Sequence, residues 1–182
     1  NGPPSSNAGF RRPGIVVKEV CWWNSCRLES DERNGGAGFP RGKDGWIAEQ
    51  SGPWIEFYNP TGRLNLAGWE VLGADGGVLV ELPAWVIPPR SYLVVAFGAG
   101  VDDDDFSDGK GLYFVDRKGK AQLPPDGGPA AAILTDREDL IVDAVVWSPD
   151  GLAVSGSEVD RAVSGEEWPQ DEVFPFADHY TA

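Results

Sequence analysis

The chain has 182 residues, with 29 acids against 15 bases and a net charge of −14. That length suits one domain of ordinary size with extensions, and that charge disfavours phosphate backbones and anionic membranes as partners. No apolar run approaches the roughly 20 residues of a bilayer span, so neither membrane insertion nor nucleic-acid binding is expected.

Residues 1–14, "NGPPSSNAGFRRPG", read as an extended arm in which Arg11 and Arg12 are the only charges. With no Met anywhere in the chain, Asn1 reads as a processed N-terminus left by signal cleavage, which points to a secreted or cell-surface protein. Ile15 to Val20 is rich in β-branched residues and reads as a strand. Cys21 and Cys26, in "CWWNSC", are the only cysteines. In an exported chain they imply one disulfide closing a short loop, with two buried free thiols as the rival reading. Residues 27–45 are polar and glycine-rich, a long loop between strands.

Trp54 to Asn59, "WIEFYN", alternates in the manner of a pleated strand. Asn59-Pro60-Thr61-Gly62 is a turn, in which Asn59 can bond its own neighbouring backbone and Gly62 permits positive φ. Leu64, Leu66, Trp69, Val71 and Leu72 rebuild an apolar run, so two strands joined by a tight turn are expected. Gly73 to Gly77 is a second turn and Val78 to Leu82 another strand. "PAWVIPP" is an extended link, and Tyr92 to Phe97 reads as a buried strand. Leu112 to Val115, Ala131 to Leu134 and Leu140 to Trp147 complete the strand set. Residues 148–182 lack a strong period and are expected to wrap the surface through Val159, Trp168, Phe174 and Phe176. No helix is expected. Gly 24 and Pro 15 favour turns over long helices, and many short strands at regular intervals indicate an all-β, Ig-like sandwich.

Reactive chemistry is sparse. His179, the only histidine, lies near the end of the chain. Glu19, Glu56 and Glu70 lie on predicted strands and could in principle pair as carboxylates, but acids on sandwich strands are more often structural or solvent-facing. The densest charge is in "DDDDFSDGKG", where Asp102, Asp103, Asp104, Asp105 and Asp108 share one loop. Calcium takes several hard oxygen ligands, so this loop is the candidate metal site, with calcium the one possible cofactor. EF-hand spacing fails, since the twelfth position counted from Asp104 is Val115. Trp residues stacked on a face can bind sugar rings, and the adjacent pair Trp22 and Trp23 is the one in which a ring could stay exposed.

The order of "IVVKEV" (15–20), "WIEFYNPTGRLNLAGWEV" (54–71), "LPAWVIPPRSYLVVAFGAG" (82–100) and "DLIVDAVVW" (139–147) resembles the lamin tail domain family, with "SEVDR" (157–161) a fainter match. The resemblance covers about residues 15–165; the 27–51 insertion and the acidic 101–111 loop depart from it. It implies an Ig-like β-sandwich without a shared active site, often an accessory module of secreted or surface proteins. The expected organisation is an arm (1–14), a sandwich (15–165) and an irregular C-terminal tail packing on it (166–182). The expected function is a non-catalytic extracellular structural module that assembles with copies of itself or other surface proteins into a filament, sheath or surface layer. A carbohydrate- or calcium-binding accessory module is the alternative. The arm, with Phe10, Arg11 and Arg12, is the expected assembly element: residues 92–182 carry 19 acids and 6 bases, a net −13, so the two ends of a protomer are oppositely charged and suit head-to-tail contact.

Overall fold

The computed structural model describes residues 15–21, 27–28, 50–51, 53–98, 102–115, 130–148, 154–164 and 174–175. The strands, in chain order, are β1 (Val16–Cys21), β2 (Arg27–Leu28), β3 (Gln50–Ser51), β4 (Trp54–Asn59), β5 (Leu64–Asn65), β6 (Glu70–Leu72) and β7 (Val78–Glu81). After them come β8 (Val86–Ile87), β9 (Ser91–Ala96), β10 (Lys110–Phe114), β11 (Ala130–Thr135), β12 (Ile141–Ser148), the helix α1 (Ser157–Ser164) and β13 (Phe174–Pro175). A four-stranded sheet runs β1-β4-β9-β10 and a five-stranded sheet runs β13-β12-β11-β6-β7. They pack face to face as an all-β sandwich. Ile55, Phe57, Leu93 and Val95 from the first sheet meet Val71, Val80, Ala132, Leu134 and Trp147 from the second in one core.

The sequence explains which faces meet. In β4 the alternation buries Ile55 and Phe57 and leaves Trp54, Glu56 and Tyr58 half-buried on the opposite face. Removing one such large apolar side chain from water stabilises the fold by about 1.5–3 kcal/mol. In β1 a bulge between Val17 and Glu19 resets the alternation, so Val17 and Val20, three positions apart, both pack against the core. β9 reads as a continuous apolar run because both its faces are covered. Leu93 and Val95 enter the core, while Val94 and Ala96 join Leu112, Phe114 and the half-buried Trp54 in a separate cluster on the far face.

The expected tight hairpin across Asn59–Gly62 does not form. β4 pairs with β1 and β9, while β5 pairs with β8, so the chain leaves the first sheet at this turn. Gly62 is not among the glycines at positive φ. Asn59 does bond its own neighbourhood, and more besides. Its Oδ1 accepts from the Thr61 N–H, and its Nδ2 donates to the carbonyls of Gly62 at 2.7 Å, Ile87 at 3.0 Å and Pro88 at 2.9 Å. A fully buried amide thereby pins the "VIPP" link to the exit of β4. The Gly73–Gly77 turn closes a true hairpin between β6 and β7.

A helix is present where none is expected. α1 covers the outer face of the five-stranded sheet, with Val159 and Ala162 buried against Leu72, Ala131, Ile133, Ala144 and Val146. β11 is therefore covered on both faces and buried throughout. Each end of the helix is tied to a turn of the sheet beneath. Glu158 N–H donates to the Ala74 carbonyl at 3.2 Å and Ser157 Oγ to the Asp75 carbonyl at 3.3 Å. Gly156 lies so close to Ala74 that a Cβ there would run into its carbonyl oxygen. Arg161 bonds the carbonyl and carboxylate of Asp139, which sits at φ +60° in the β11–β12 turn, and pairs with Glu158 at 2.9 Å. Ser157 and Arg161 of "SEVDR" thus join helix to sheet. Arg27–Leu28, expected as loop, pair with Gln50–Ser51 and bracket the insertion as a two-stranded stem. The tail contributes β13, which pairs in parallel with β12.

Candidate functional site

The acidic loop lies along the outer edge of the four-stranded sheet. β10 pairs with β9 in parallel. At the two ends of this pairing, Tyr92 N–H donates to the Gly109 carbonyl and Val115 N–H to the Ala96 carbonyl. Alternation along the strand then turns the N–H groups of Lys110, Leu112 and Phe114 away from β9. The loop accepts all three. Lys110 N–H donates to Asp108 Oδ1 at 2.9 Å, Leu112 N–H to the Asp103 carbonyl at 2.9 Å, and Phe114 N–H to Asp102 Oδ1 at 3.0 Å. Asp103 N–H returns a bond to the Leu112 carbonyl at 2.8 Å. The loop also holds its own shape: Asp103 Oδ1 accepts from the Asp105 N–H, and Asp105 Oδ1 accepts from the Ser107 N–H to cap a 3-10 turn at Phe106–Asp108. The Phe106 ring then rests on Gly111, where a Cβ would come within 2.6 Å of it. Trp85 meets Phe106 and Tyr113 edge-on, at 6.4 and 5.6 Å between centroids.

These bonds bear on the calcium expectation. Asp102, Asp103, Asp105 and Asp108 each direct an oxygen at a backbone N–H, and Asp104 is exposed. Among the described residues no group of three or more His, Cys, Asp or Glu side chains is placed to hold a metal ion.

At the opposite edge of the same sheet a single carboxylate does similar work. The β11–β12 register sets Asp143 against Leu134, on the core side. Its Oδ2 accepts from Val17 N–H of β1 at 2.6 Å and its Oδ1 from its own neighbour, Ala144 N–H, at 2.9 Å. Asp143 therefore clasps the edge of one sheet to the body of the other. Burial pushes its carboxyl above the usual aspartate value, and the two N–H donors oppose that rise. Sequence reading passed over Asp143. The available signal was a lone acid inside the apolar run "LIVDAVVW".

Of the candidate carboxylates, Glu19 and Glu56 are brought together as cross-strand neighbours on the outer face of β1 and β4. Glu70 is not with them; it opposes Glu81 in the other sheet. Burial raises the Glu56 carboxyl, Lys110 at 3.8 Å pulls it back, Glu19 raises it further and Lys18 lowers it. Tyr58 and Tyr92 stack beside this group with centroids 4.7 Å apart. Such a group orders charge on a sheet surface.

Phe10, Arg11, Arg12, Trp22, Trp23, Cys26, Trp168, Phe176 and His179 lie outside the described residues, and with Cys26 so does the expected Cys21–Cys26 disulfide. Among the described residues Trp69 and Trp147 are buried, and Trp54 and Trp85 are half-buried. No helix among the described residues is long and apolar enough to cross a membrane. No family model and no curated protein matches the chain, so the lamin-tail resemblance rests on its motifs alone.

Proposed function

We propose that the chain is a non-catalytic, secreted or cell-surface structural module, an Ig-like sandwich of the lamin-tail type, that assembles with copies of itself through its N-terminal arm. The observation that carries this reading is the unequal treatment of the sheet edges. Both edges of the four-stranded sheet have backbone N–H groups occupied by aspartates. In the five-stranded sheet β7 is the last strand in order among the described residues, and Val78 on it is 52% exposed. A strand at the edge of a sheet is a template for pairing with another chain.

The occupant proposed for β7 is residues 1–14 of a second copy. The arm carries Arg11, Arg12 and no acid, whereas β7 and its neighbour β6 carry Glu81, which is exposed, and Glu70. Charge steers that docking, and main-chain pairing with burial of Phe10 supplies its persistence. An arm on one end and an edge on another make a heterologous contact, which grows open filaments when its rotation does not close.

Deleting residues 1–14 is expected to leave the sandwich folded, because β1 begins at Val16, and to abolish assembly in light scattering. Arg11→Glu with Arg12→Glu is expected to weaken assembly most at low salt, where screening is least. Assembly of the truncated chain equal to that of the full chain would overturn the proposal.

A further inference from the structure

We propose that the Asp102–Gly109 loop is an edge guard: a built-in stretch of acceptors that occupies the outward donors of β10 and keeps that edge from pairing with a second copy. This stands apart from where the arm docks, since it concerns the opposite sheet. Three observations converge on it. Every outward N–H of β10, at Lys110, Leu112 and Phe114, has its acceptor in the loop. The acceptors alternate carboxylate, carbonyl, carboxylate, so only Asp103 behaves as a paired strand residue, in a single bridge. A full strand in that place would present a fresh edge of its own; aspartate side chains satisfy the donors and end the ladder. Finally, the loop is fastened by packing as well as by hydrogen bonds, through Phe106 lying on the side-chain-free surface of Gly111.

The guard also gives the acid run a reason to be acid. A carboxylate only accepts, so the four turned toward backbone N–H groups form charge-assisted bonds, those of Asp102 and Asp108 to β10 itself. The exposed Asp104 adds charge that repels an approaching copy of the same edge. Without the loop's carboxylates the edge is self-complementary: β10 of one copy can pair antiparallel with β10 of another about a twofold axis, which needs no second surface.

The test uses the full chain and two double variants. In the wild type the amides of Lys110 and Phe114 are expected to exchange with deuterium as slowly as those of Gly111 and Tyr113, which face β9. In Asp102→Ala with Asp108→Ala, exchange at Lys110 and Phe114 is expected to accelerate about tenfold in dilute solution. Sedimentation is expected to show larger species than the wild type at equal concentration, and that added association persists at high salt, unlike docking of the charged arm. Asp102→Asn with Asp108→Asn keeps an acceptor oxygen at each place and is expected to retain slow exchange and wild-type sedimentation. Three results would overturn the guard: free exchange at Lys110 and Phe114 in the wild type, association of the Asn variant equal to that of the Ala variant, or an Ala variant that exposes both amides and associates no more than wild type. Should the Ala variant not fold, the wild-type exchange and the Asn variant decide the matter.

Discussion

Aspartates occupy backbone N–H groups at both edges of the four-stranded sheet, in different settings. At β10 two carboxylates, those of the half-buried Asp102 and the exposed Asp108, share the task with the Asp103 carbonyl. At β1 one carboxylate, that of Asp143, takes a single N–H, that of Val17, from across the sandwich, and burial raises its carboxyl. An exposed acceptor such as Asp108 is individually weak, and the loop adds two further acceptors and the Phe106 anchor to it. A half-buried acceptor is individually strong, because the donors it serves have little water to fall back on. Shared acceptors at one edge and a single acceptor at the other lead to different responses to mutation.

The sharpest way to break the comparison is to remove each acceptor in turn. Asp143→Ala strands the Val17 and Ala144 N–H groups and is expected to cost about 2–3 kcal/mol in urea unfolding. Asp108→Ala frees the Lys110 N–H from an exposed bond, where water replaces the lost acceptor, and is expected to cost about 0.5–1 kcal/mol. Equal losses at the two positions would show that burial does not set the difference. Next in size, Gly111→Ala forces a methyl group against the Phe106 ring and is expected to cost about 1–2 kcal/mol as the loop shifts. A thermal midpoint equal to wild type would show that the loop is held by its hydrogen bonds alone.

The smallest effect is in pH. A carboxyl raised in the fold favours the protonated form there, so the unfolded chain releases its proton first as pH rises. The contribution of Asp143 is therefore fully present below the ordinary aspartate value and is lost as pH rises through the raised folded value. Glu56 adds a contribution of the same sign. Asp143→Asn has no such proton, so the stability of wild type minus that of Asp143→Asn is expected to fall across this mildly acid window and then level off. A difference that is flat, or that rises with pH, would contradict the direction of the shift.

Local pattern was enough to recover much of the fold. "WIEFYN" alternates, and β4 runs over those same residues; "YLVVAF" is continuously apolar because β9 is covered on both faces. Partnership was less legible. Neighbours in sequence suggested a hairpin at Asn59–Gly62, yet β4 finds β1 and β9, because its buried Ile55 and Phe57 must lie level with Val95 and Leu93. α1 went unread since only Val159 and Ala162 of its eight residues are buried, too few to set a period. Its signals were the polar Ser157 at the start, the acids Glu158 and Asp160 in the first turn and Arg161 later. The acid loop is legible as a cluster, but its bonds to β10 are not, because the outward donors of β10 are known only once β9 is seen beside it. Asp143 was the least legible: its partner lies 126 positions away.

The stem formed by β2 and β3 has a consequence for how this chain can vary. Arg27 faces Ser51 and Leu28 faces Gln50, so strand pairing holds together the two points between which residues 29–49 run. Once the ends of a loop are held together, each doubling of its length adds only about 0.6 kcal/mol of closure entropy. The insertion can thus be lengthened, shortened or exchanged for another sequence while the layers beneath keep their registers, which makes the stem the natural graft point of the molecule.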